Sequence, residues 1–179
     1  MSEQKNFFSC DDVSHKGKTN TWFTPWSIIG PVSGEPFDLD PCSQSARPFN
    51  TAIEHYCHDK GDDGLELPWH GRIWCNPPYG KFTGKWLEKM AEHGNGIALV
   101  FARPETNWAQ DAMKAADAVN FLKGRISFIR EDGGKSNNAG TGSMLLAYGI
   151  ENVIHAGMLP GRLFSTGRLE AIKNANEGY

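Results

Sequence analysis

Residues 72–102 read RIWCNPPYGKFTGKWLEKMAEHGNGIALVFA, and they carry the clearest structural pattern in the chain. Residues 72–75 form a short strand pattern, which the stiff turn at 76–80 ends. Residues 84–93 repeat apolar side chains at helical spacing. Residues 96–102 are apolar throughout, as expected for a strand that is covered on both faces. This strand–helix–strand unit predicts an α/β sheet.

Weaker patterns of the same kind lie on both sides of this unit. The predicted elements are a short helix at 25–29 with Thr24 as its N-cap, a strand at 37–40 that Pro41 ends, a strand at 53–57, a helix at 105–117, and strands at 118–122, 125–129 and 143–148. We expect the last two to pair as an antiparallel hairpin around a glycine-rich loop at 131–142. The predicted fold is therefore α/β, with a mostly parallel sheet and an antiparallel terminal hairpin.

Length and composition are those of one globular unit. The chain has 179 residues, of which 39% are hydrophobic and 22% are charged. We expect residues 1–20 to be a flexible, polar N-terminal tail and residues 21–179 to be a single domain. No run approaches the roughly 18 to 20 apolar residues of a membrane span. The four cysteines lack a CxxC pair, so we expect reduced thiols in a cytoplasmic protein without membrane association.

The net charge of −3 conceals two unlike parts. Residues 1–66 carry 5 basic and 11 acidic groups, whereas residues 67–179 carry 13 basic and 10 acidic groups. The second part could face a polyanion while the first faces something else. Chance clustering on a solvated surface explains the charge split equally well.

Asn76-Pro77-Pro78-Tyr79 is the stretch that suggests a chemistry. Asn76 supplies a side-chain carbonyl, and neither proline has an N–H, so the turn presents rigid backbone acceptors. Tyr79 adds an aromatic face beside them. Two acceptors next to a flat platform suit a planar group with an exocyclic amine, such as a nucleobase. The alternative is a strand-ending turn, or a polyproline-like ligand for a partner.

This motif resembles the Asn/Asp-Pro-Pro-Tyr/Phe motif of amino-methyltransferases that use S-adenosylmethionine. From about Trp22 to Tyr148 the chain is similar to the short phage and prophage DNA N6-adenine methyltransferases of the Dam-like family. The resemblance implies a single Rossmann-like methyltransferase domain, of a size that allows a reduced sheet. It also implies DNA as the substrate, a bacterial host cell, and protection of phage DNA from restriction.

The resemblance implies cofactor contacts along the first part of the chain. Thr24-Pro25 matches the Thr-Pro that contacts the methionine end, and Asp40-Pro41 matches the carboxylate segment beside the cofactor's amino group. Asp63, followed by Gly64 and Leu65, matches the segment that binds the cofactor's adenine. Ser43-Gln44-Ser45-Ala46 replaces the usual Gly-x-Gly. Asp59 and Asp62 are both candidates for the ribose hydroxyls.

The mechanism implied is direct methyl transfer to N6 of a flipped adenine stacked on Tyr79, with Asn76 and the Pro77 carbonyl orienting the amine. The same motif serves cytosine N4, RNA adenine and protein glutamine, so these substrates stay open. The chain is short for a separate recognition domain, which favours limited sequence specificity and a monomer or weak dimer. The residues expected at the substrate, catalytic turn included, are Asn76, Pro77, Pro78, Tyr79, Lys81, Arg103, Arg125 and Lys135.

Two other classes of function compete. A non-catalytic nucleic-acid-binding module would use the basic second part, but it gives no reason for Asp40 and Asp63. A zinc site at 55–58 with Cys42 and Cys75 matches no common ligand spacing. We therefore expect S-adenosylmethionine as cofactor and no metal.

Overall fold

The computed structural model describes residues 22–130, 133–134 and 139–168. The expected tail at 1–20 and much of the 131–142 loop, Lys135 included, lie outside the described residues. The helices are α1 Trp26–Ser33, α2 Thr83–His93, α3 Asn107–Ala115 and α4 Ile150–Ala156. The strands are β1 Trp22–Phe23, β2 Phe37–Ser43, β3 Ala52–Cys57, β4 Ile73–Cys75, β5 Gly96–Phe101, β6 Ala118–Leu122, β7 Ile129–Arg130, β8 Ser143–Tyr148 and β9 Gly161–Ser165.

The main sheet has seven strands in the order β3-β2-β4-β5-β8-β6-β9. The pairs from β3 to β5 are parallel, and the pairs from β5 to β9 are antiparallel. The mixed α/β fold is confirmed, but parallel pairing covers only half of the sheet. A separate two-stranded sheet joins β1 to β7.

The predicted terminal hairpin is wrong. β8 does not pair with the 125–129 segment but lies between β5 and β6, and all six of its residues are buried. A strand this apolar needs a neighbour on each side and a helix layer on each face, which a terminal hairpin would not supply. The 125–129 segment contributes only its last residue to β7, which pairs with β1.

Two proline positions were also misjudged. β2 continues through Pro41 to Ser43, because its pairing with β3 is irregular between Asp40 and Ser43, where a missing N–H costs little. α1 begins one residue later than predicted and runs through Pro31 to Ser33. Thr24 does not cap it, since Pro25 is the N-cap residue and no side chain bonds the helix N-terminus.

The sheet is the middle of three layers. Alternate residues of β5 point to opposite faces, so Ala98 and Val100 join one core cluster, and Ile97 and Leu99 join the other. The first cluster includes side chains of α2 and α3, and the second includes side chains of α1 and α4. None of the helices in the described residues is long and apolar enough to span a bilayer.

The strand directions bring the C-terminal ends of five strands to one edge of the sheet. β2, β3, β4 and β5 are parallel, and β6 runs the same way because it is antiparallel to β8. The residues that follow these strands therefore meet along one edge. The Asn76–Tyr79 turn is among them, and we call this edge the strand-end edge.

Arg72, next to β4, ties the helix layer formed by α1 and α4 to the sheet. Its buried guanidinium donates to the backbone carbonyls of Val32 at 2.8 Å, of Ser33, and of Glu35 at 2.9 Å at the C-terminus of α1. It also bonds Asn152 Oδ1 at 2.6 Å and His155 Nδ1 at 2.9 Å, both on α4. Burial lowers the pKa of His155, so its neutral ring can accept this bond.

Replacing Arg72 with Met should lower the free energy of unfolding by about 3 kcal/mol, because several buried acceptors would lose their donor. Chemical denaturation followed by circular dichroism measures the change. Arg162→Met, at an exposed position of β9, is the control and should shift stability by less than about 0.5 kcal/mol. Equal effects of the two variants would contradict the role of Arg72.

Candidate active site

Asn76 follows the last residue of β4 and leads the turn on the strand-end edge. Its Nδ2 donates to the Thr24 hydroxyl at 3.2 Å, which fixes the orientation of the amide. Its Oδ1 is buried and has no hydrogen-bond partner among the described residues. Buried acceptors are nearly always bonded in native proteins, so an open one marks a place where a donor is expected.

Thr24 reaches Asn76 because β1 pairs with β7 and brings the start of the described chain to this edge. The side chain is 3% exposed. Sequence reasoning assigned Thr24 to the helix cap, which is wrong, and to the cofactor, which stays a prediction. In the structure its hydroxyl accepts a hydrogen bond from the Asn76 amide. Pro25, the other half of the predicted pair, begins α1 beside it.

The turn itself is held by Thr83 at the start of α2. The Thr83 hydroxyl donates to the Pro78 carbonyl at 3.2 Å and accepts from the Gly80 N–H at 3.1 Å. The Thr83 N–H bonds the Gly80 carbonyl at 3.1 Å. The Pro78 carbonyl is thus occupied, which leaves the Pro77 carbonyl as the backbone acceptor considered for a substrate.

Tyr79 lies flat against Phe101, the last residue of β5. Their ring centroids are 3.9 Å apart and their planes differ by 7°. Phe101 in turn contacts the buried Phe128 edge-on, with centroids 6.4 Å apart. Burial raises the pKa of the Tyr79 hydroxyl well above its ordinary value, so it stays protonated. One face of Tyr79 is therefore backed by an aromatic stack that reaches the core.

Asp40 lies in β2, the strand beside β4. It is 6% exposed, and it accepts hydrogen bonds from the Thr51 hydroxyl and from the Cys42 N–H at 3.2 Å. Burial raises the pKa of Asp40 to about 6, against the lowering effect of these bonds and of the more distant Arg47. The carboxylate is thus short of compensating positive charge.

Two cysteines near the ends of β2 and β4 lie next to each other. Cys42 Sγ lies 3.9 Å from Cys75 Sγ, and both thiols are free. Burial raises the pKa of Cys42, which keeps it protonated beside Asp40. The sequence pattern placed these residues at strand ends, and the structure adds that they pack side by side between Asp40 and the turn.

The acidic residues after β3 are engaged in backbone structure. Asp63 Oδ1 accepts from the Leu65 N–H at 2.9 Å, and Asp62 Oδ2 accepts from the Cys57 N–H at 2.7 Å. Asp59 accepts from the Ser45 N–H at 2.9 Å and from the Ser45 hydroxyl, and the hydroxyl bond lowers the pKa of Asp59. Ser45 in the segment that replaces Gly-x-Gly is thereby tied to the turn after β3.

The predicted basic residues follow successive strand ends. Lys81 comes after β4, with its ammonium 4.9 Å above the Phe82 ring. Arg103 follows β5, and its carbonyl accepts two bonds from Thr106. Arg125 follows β6, and all three basic side chains are exposed. The structure therefore brings them to the same edge as Asn76.

Sequence reasoning missed Phe101, Phe128 and Thr83 as parts of the site. Phe101 was read only as part of a buried strand. Its position as the last residue of β5, and an aromatic one, is a signal that a search of strand ends could have used.

The zinc alternative has no geometric support, since the described residues contain no group of three or more His, Cys, Asp or Glu side chains that could hold a metal ion.

Comparison with known proteins supports a family assignment. The model of the family described as DNA N-6-adenine-methyltransferase (Dam) matches residues 13–170, which is most of the chain. No curated protein sequence is detectably similar.

The carboxyl of Asp40 should titrate near pH 6, and Thr51→Val should move that midpoint higher because it removes a bond to the ionised form. Carbon-13 NMR of the Asp carboxyl groups measures both midpoints, with Asp40→Asn identifying the resonance. Asp59 serves as the internal control and should titrate below the ordinary Asp range. A midpoint near 4 for Asp40 would contradict this description.

Proposed function

Because the chain belongs to the DNA N-6-adenine-methyltransferase (Dam) family and is thus a DNA adenine-N6 methyltransferase, we propose that it takes the methyl group from S-adenosylmethionine and transfers it to a flipped adenine at the Asn76–Tyr79 turn. The observation that carries this proposal is Asn76. Its buried Oδ1 has no partner among the described residues, and Thr24 fixes its amide.

The residues beside the turn fit S-adenosylmethionine. Its methionine end bears an ammonium group, and Asp40 is a carboxylate whose pKa is raised to about 6 by burial. An ammonium at this position would form a charge-assisted hydrogen bond and favour the ionised carboxylate. Thr24, Pro25 and Pro41 are the proposed neighbours of the same end of the cofactor.

The rest of the cofactor would lie along the ends of β2 and β3. We assign its adenine to Asp63 and Leu65, where the Asp63–Leu65 bond already shapes the backbone. The Ser45–Asp59 connection stands where a glycine-rich turn is usual, and S-adenosylmethionine has no phosphate that would need such a turn. Asp59 and Asp62 remain the candidates for its ribose.

When bound, S-adenosylmethionine supplies an electrophilic methyl group. Asn76 Oδ1 and the Pro77 carbonyl accept hydrogen bonds from the adenine N6 hydrogens and aim the nitrogen lone pair at that methyl. As the N6–methyl bond forms and the methyl–sulfur bond breaks, S-adenosylhomocysteine would leave and N6 would acquire positive charge, which these two acceptors would stabilise more than the neutral amine. N6 would then release one proton to solvent. Most of the acceleration would come from this fixed alignment, because the exocyclic amine needs no covalent intermediate.

The target base would stack on the face of Tyr79 opposite Phe101. Phe101 and Phe128 hold the ring from behind, so little ring motion has to be frozen when the base arrives. Stacking on an aromatic side chain offsets part of the few kcal/mol that unstacking a base from the duplex costs. Pro78, held by Thr83, keeps the platform in place.

The DNA would cross the strand-end edge on the side of β5 and β6. Lys81, Arg103 and Arg125 follow successive strands there, and we place phosphate contacts on them. Lys135 is proposed as a further contact from the 131–142 loop. We also propose short or weak sequence specificity and protection of phage DNA from restriction as the role. Nucleoside mass spectrometry of DNA from expressing cells tests for N6-methyladenine.

Asn76→Ala should lower kcat on DNA by at least about 100-fold, because an aligned transition-state acceptor is lost. Binding of S-adenosylmethionine, measured by calorimetry, should change by less than about threefold, since the proposed cofactor contacts of Asp40 and Asp63 stay in place. Transfer of a labelled methyl group to duplex DNA measures kcat. Asn107→Ala, at an exposed position of α3, is the matched control. Full activity of Asn76→Ala would refute the assignment.

Affinity for S-adenosylmethionine should fall as the pH drops below about 6, by up to about tenfold per pH unit, because the ammonium requires an ionised Asp40. His55 pairs with Asp40 across β3 and β2, and burial lowers its pKa to about 4. The His55 ring therefore stays neutral over most of the pH range in which Asp40 titrates.

Calorimetric titrations from pH 5 to pH 8 measure this dependence. Asp40→Asn should bind weakly at every pH and lose the slope. A wild-type affinity that is constant between pH 5 and pH 7 would show that the ammonium lies elsewhere.

A further inference from the structure

A cavity of about 330 Å³ opens on the strand-end edge, beyond the proposed base platform. Its walls are the first turn of α1, the segment 122–127 after β6, and the turn at 159–160 before β9. The proposed function places Pro25 beside the cofactor and a phosphate contact on Arg125, and it assigns no ligand to the rest of this cavity.

The cavity combines apolar walls with a cationic rim. Ile28, Ile126 and Leu159 line it, and Ile126 and Leu159 are themselves buried, at 6% and 7% exposed. Lys123 and Arg125 also line it and are exposed to solvent. Apolar surface beside two cations suits a ligand with a flat or apolar part and a negative charge, and a nucleotide is such a ligand.

The walls are held by backbone and buried side-chain bonds. Lys123 N–H donates to the Pro160 carbonyl at 2.8 Å. The buried Asn120 donates from Nδ2 to the carbonyls of Ala156 at 2.7 Å and Leu159 at 3.1 Å, which fixes the turn before β9. The 122–127 segment is also held at Ile126, whose carbonyl accepts from the Ala139 N–H at 3.0 Å. The cavity is thus built into the fold.

The cavity is close enough to the catalytic turn to serve the same DNA strand. Pro25, in its wall, directly follows Thr24, whose hydroxyl bonds Asn76. β6 lies three strand positions from β4, which corresponds to about 14 Å across the sheet. A DNA strand spans this distance with a few nucleotides, so the cavity and the catalytic turn can bind the same strand.

We propose that this cavity binds a nucleotide that flanks the target adenine, with its phosphate at Lys123 and Arg125 and its base or sugar against Ile28 and Ile126. This inference rests on the proposed function and extends it. It gives the enzyme a second hold on the DNA and a place where the identity of a flanking base can affect binding.

Two variants test the two halves of the cavity. Lys123→Gln/Arg125→Gln removes the rim charges, and Ser27→Trp fills the volume from the exposed first turn of α1. The double variant should raise KM for DNA on the order of tenfold at 0.15 M salt and reduce the slope of log Kd against log salt by about 2. Lys60→Gln/Lys114→Gln, which removes two exposed charges elsewhere, and Asn107→Trp are the controls.

The decisive probe is a set of duplexes with one target adenine and an abasic nucleotide at each neighbouring position in turn. With the wild-type protein, fluorescence anisotropy should show that one position weakens binding on the order of tenfold. Ser27→Trp should remove that difference while circular dichroism shows an unchanged fold. If deoxynucleoside monophosphates or inorganic phosphate compete with the duplex for binding, the cavity is a site for free small anions.

The outcomes separate this inference from the methyltransferase proposal. If wild-type protein methylates DNA but no abasic position weakens binding, the flanking-nucleotide site is overturned. It is also overturned if free nucleotides bind the cavity while Ser27→Trp leaves DNA binding unchanged. If no N6-methyladenine forms on any DNA, the proposed function itself fails, whatever the cavity binds.

Discussion

The buried guanidinium of Arg72 connects the scaffold to the site. It precedes β4 directly and satisfies backbone carbonyls that the C-terminus of α1 would otherwise leave open. By fixing α1 against the sheet, it also fixes the other end of that short helix, where Thr24 and Pro25 begin it. Thr24 then holds the Asn76 amide. A single cation thereby couples the packing of the α1–α4 layer to the orientation of the proposed catalytic acceptor.

The acidic and basic parts of the sequence lie on different halves of the strand-end edge. The acidic first part of the sequence supplies β2 and β3; Asp40 lies within β2, and Asp59 follows β3. The more basic second part supplies β4, β5 and β6, whose ends lead to Lys81, Arg103 and Arg125. Because the strands lie in the order β3-β2-β4-β5-β8-β6-β9, the two charge types occupy opposite halves of one edge, with Asn76 between them. A cationic cofactor end and a polyanion could thus approach one turn from two sides.

The sequence was most informative where a signal was local. The unit at residues 72–102 was predicted almost residue for residue, because helix periodicity and an all-apolar strand are both written within it. The place of β8 between β5 and β6 was not predictable, since strand order depends on contacts distant in sequence. Pro41 was misread because the irregular pairing that tolerates it belongs to β3. In the site, residue type indicated Asn76 and the family resemblance indicated Asp40. The Thr24 bond and the Tyr79–Phe101 stack arise only from folding.

Two groups of the proposed site, Asp40 and Asn76 Oδ1, are energetically unfavourable in the protein without ligands. The pKa of Asp40 is raised above its unfolded value, so ionising it makes folding less favourable as the pH rises from about 4 through about 6. The open Asn76 Oδ1 adds a second unsatisfied group. Both deficits are of the kind that a bound ligand removes, one by an ammonium and the other by an amine. The scaffold bonds of Arg72 and Thr83 do not depend on either ligand. The fold therefore stays intact when Asp40 and Asn76 Oδ1 have no ligand. When ligands bind these two groups, the free energy gained favours the aligned complex over the empty site.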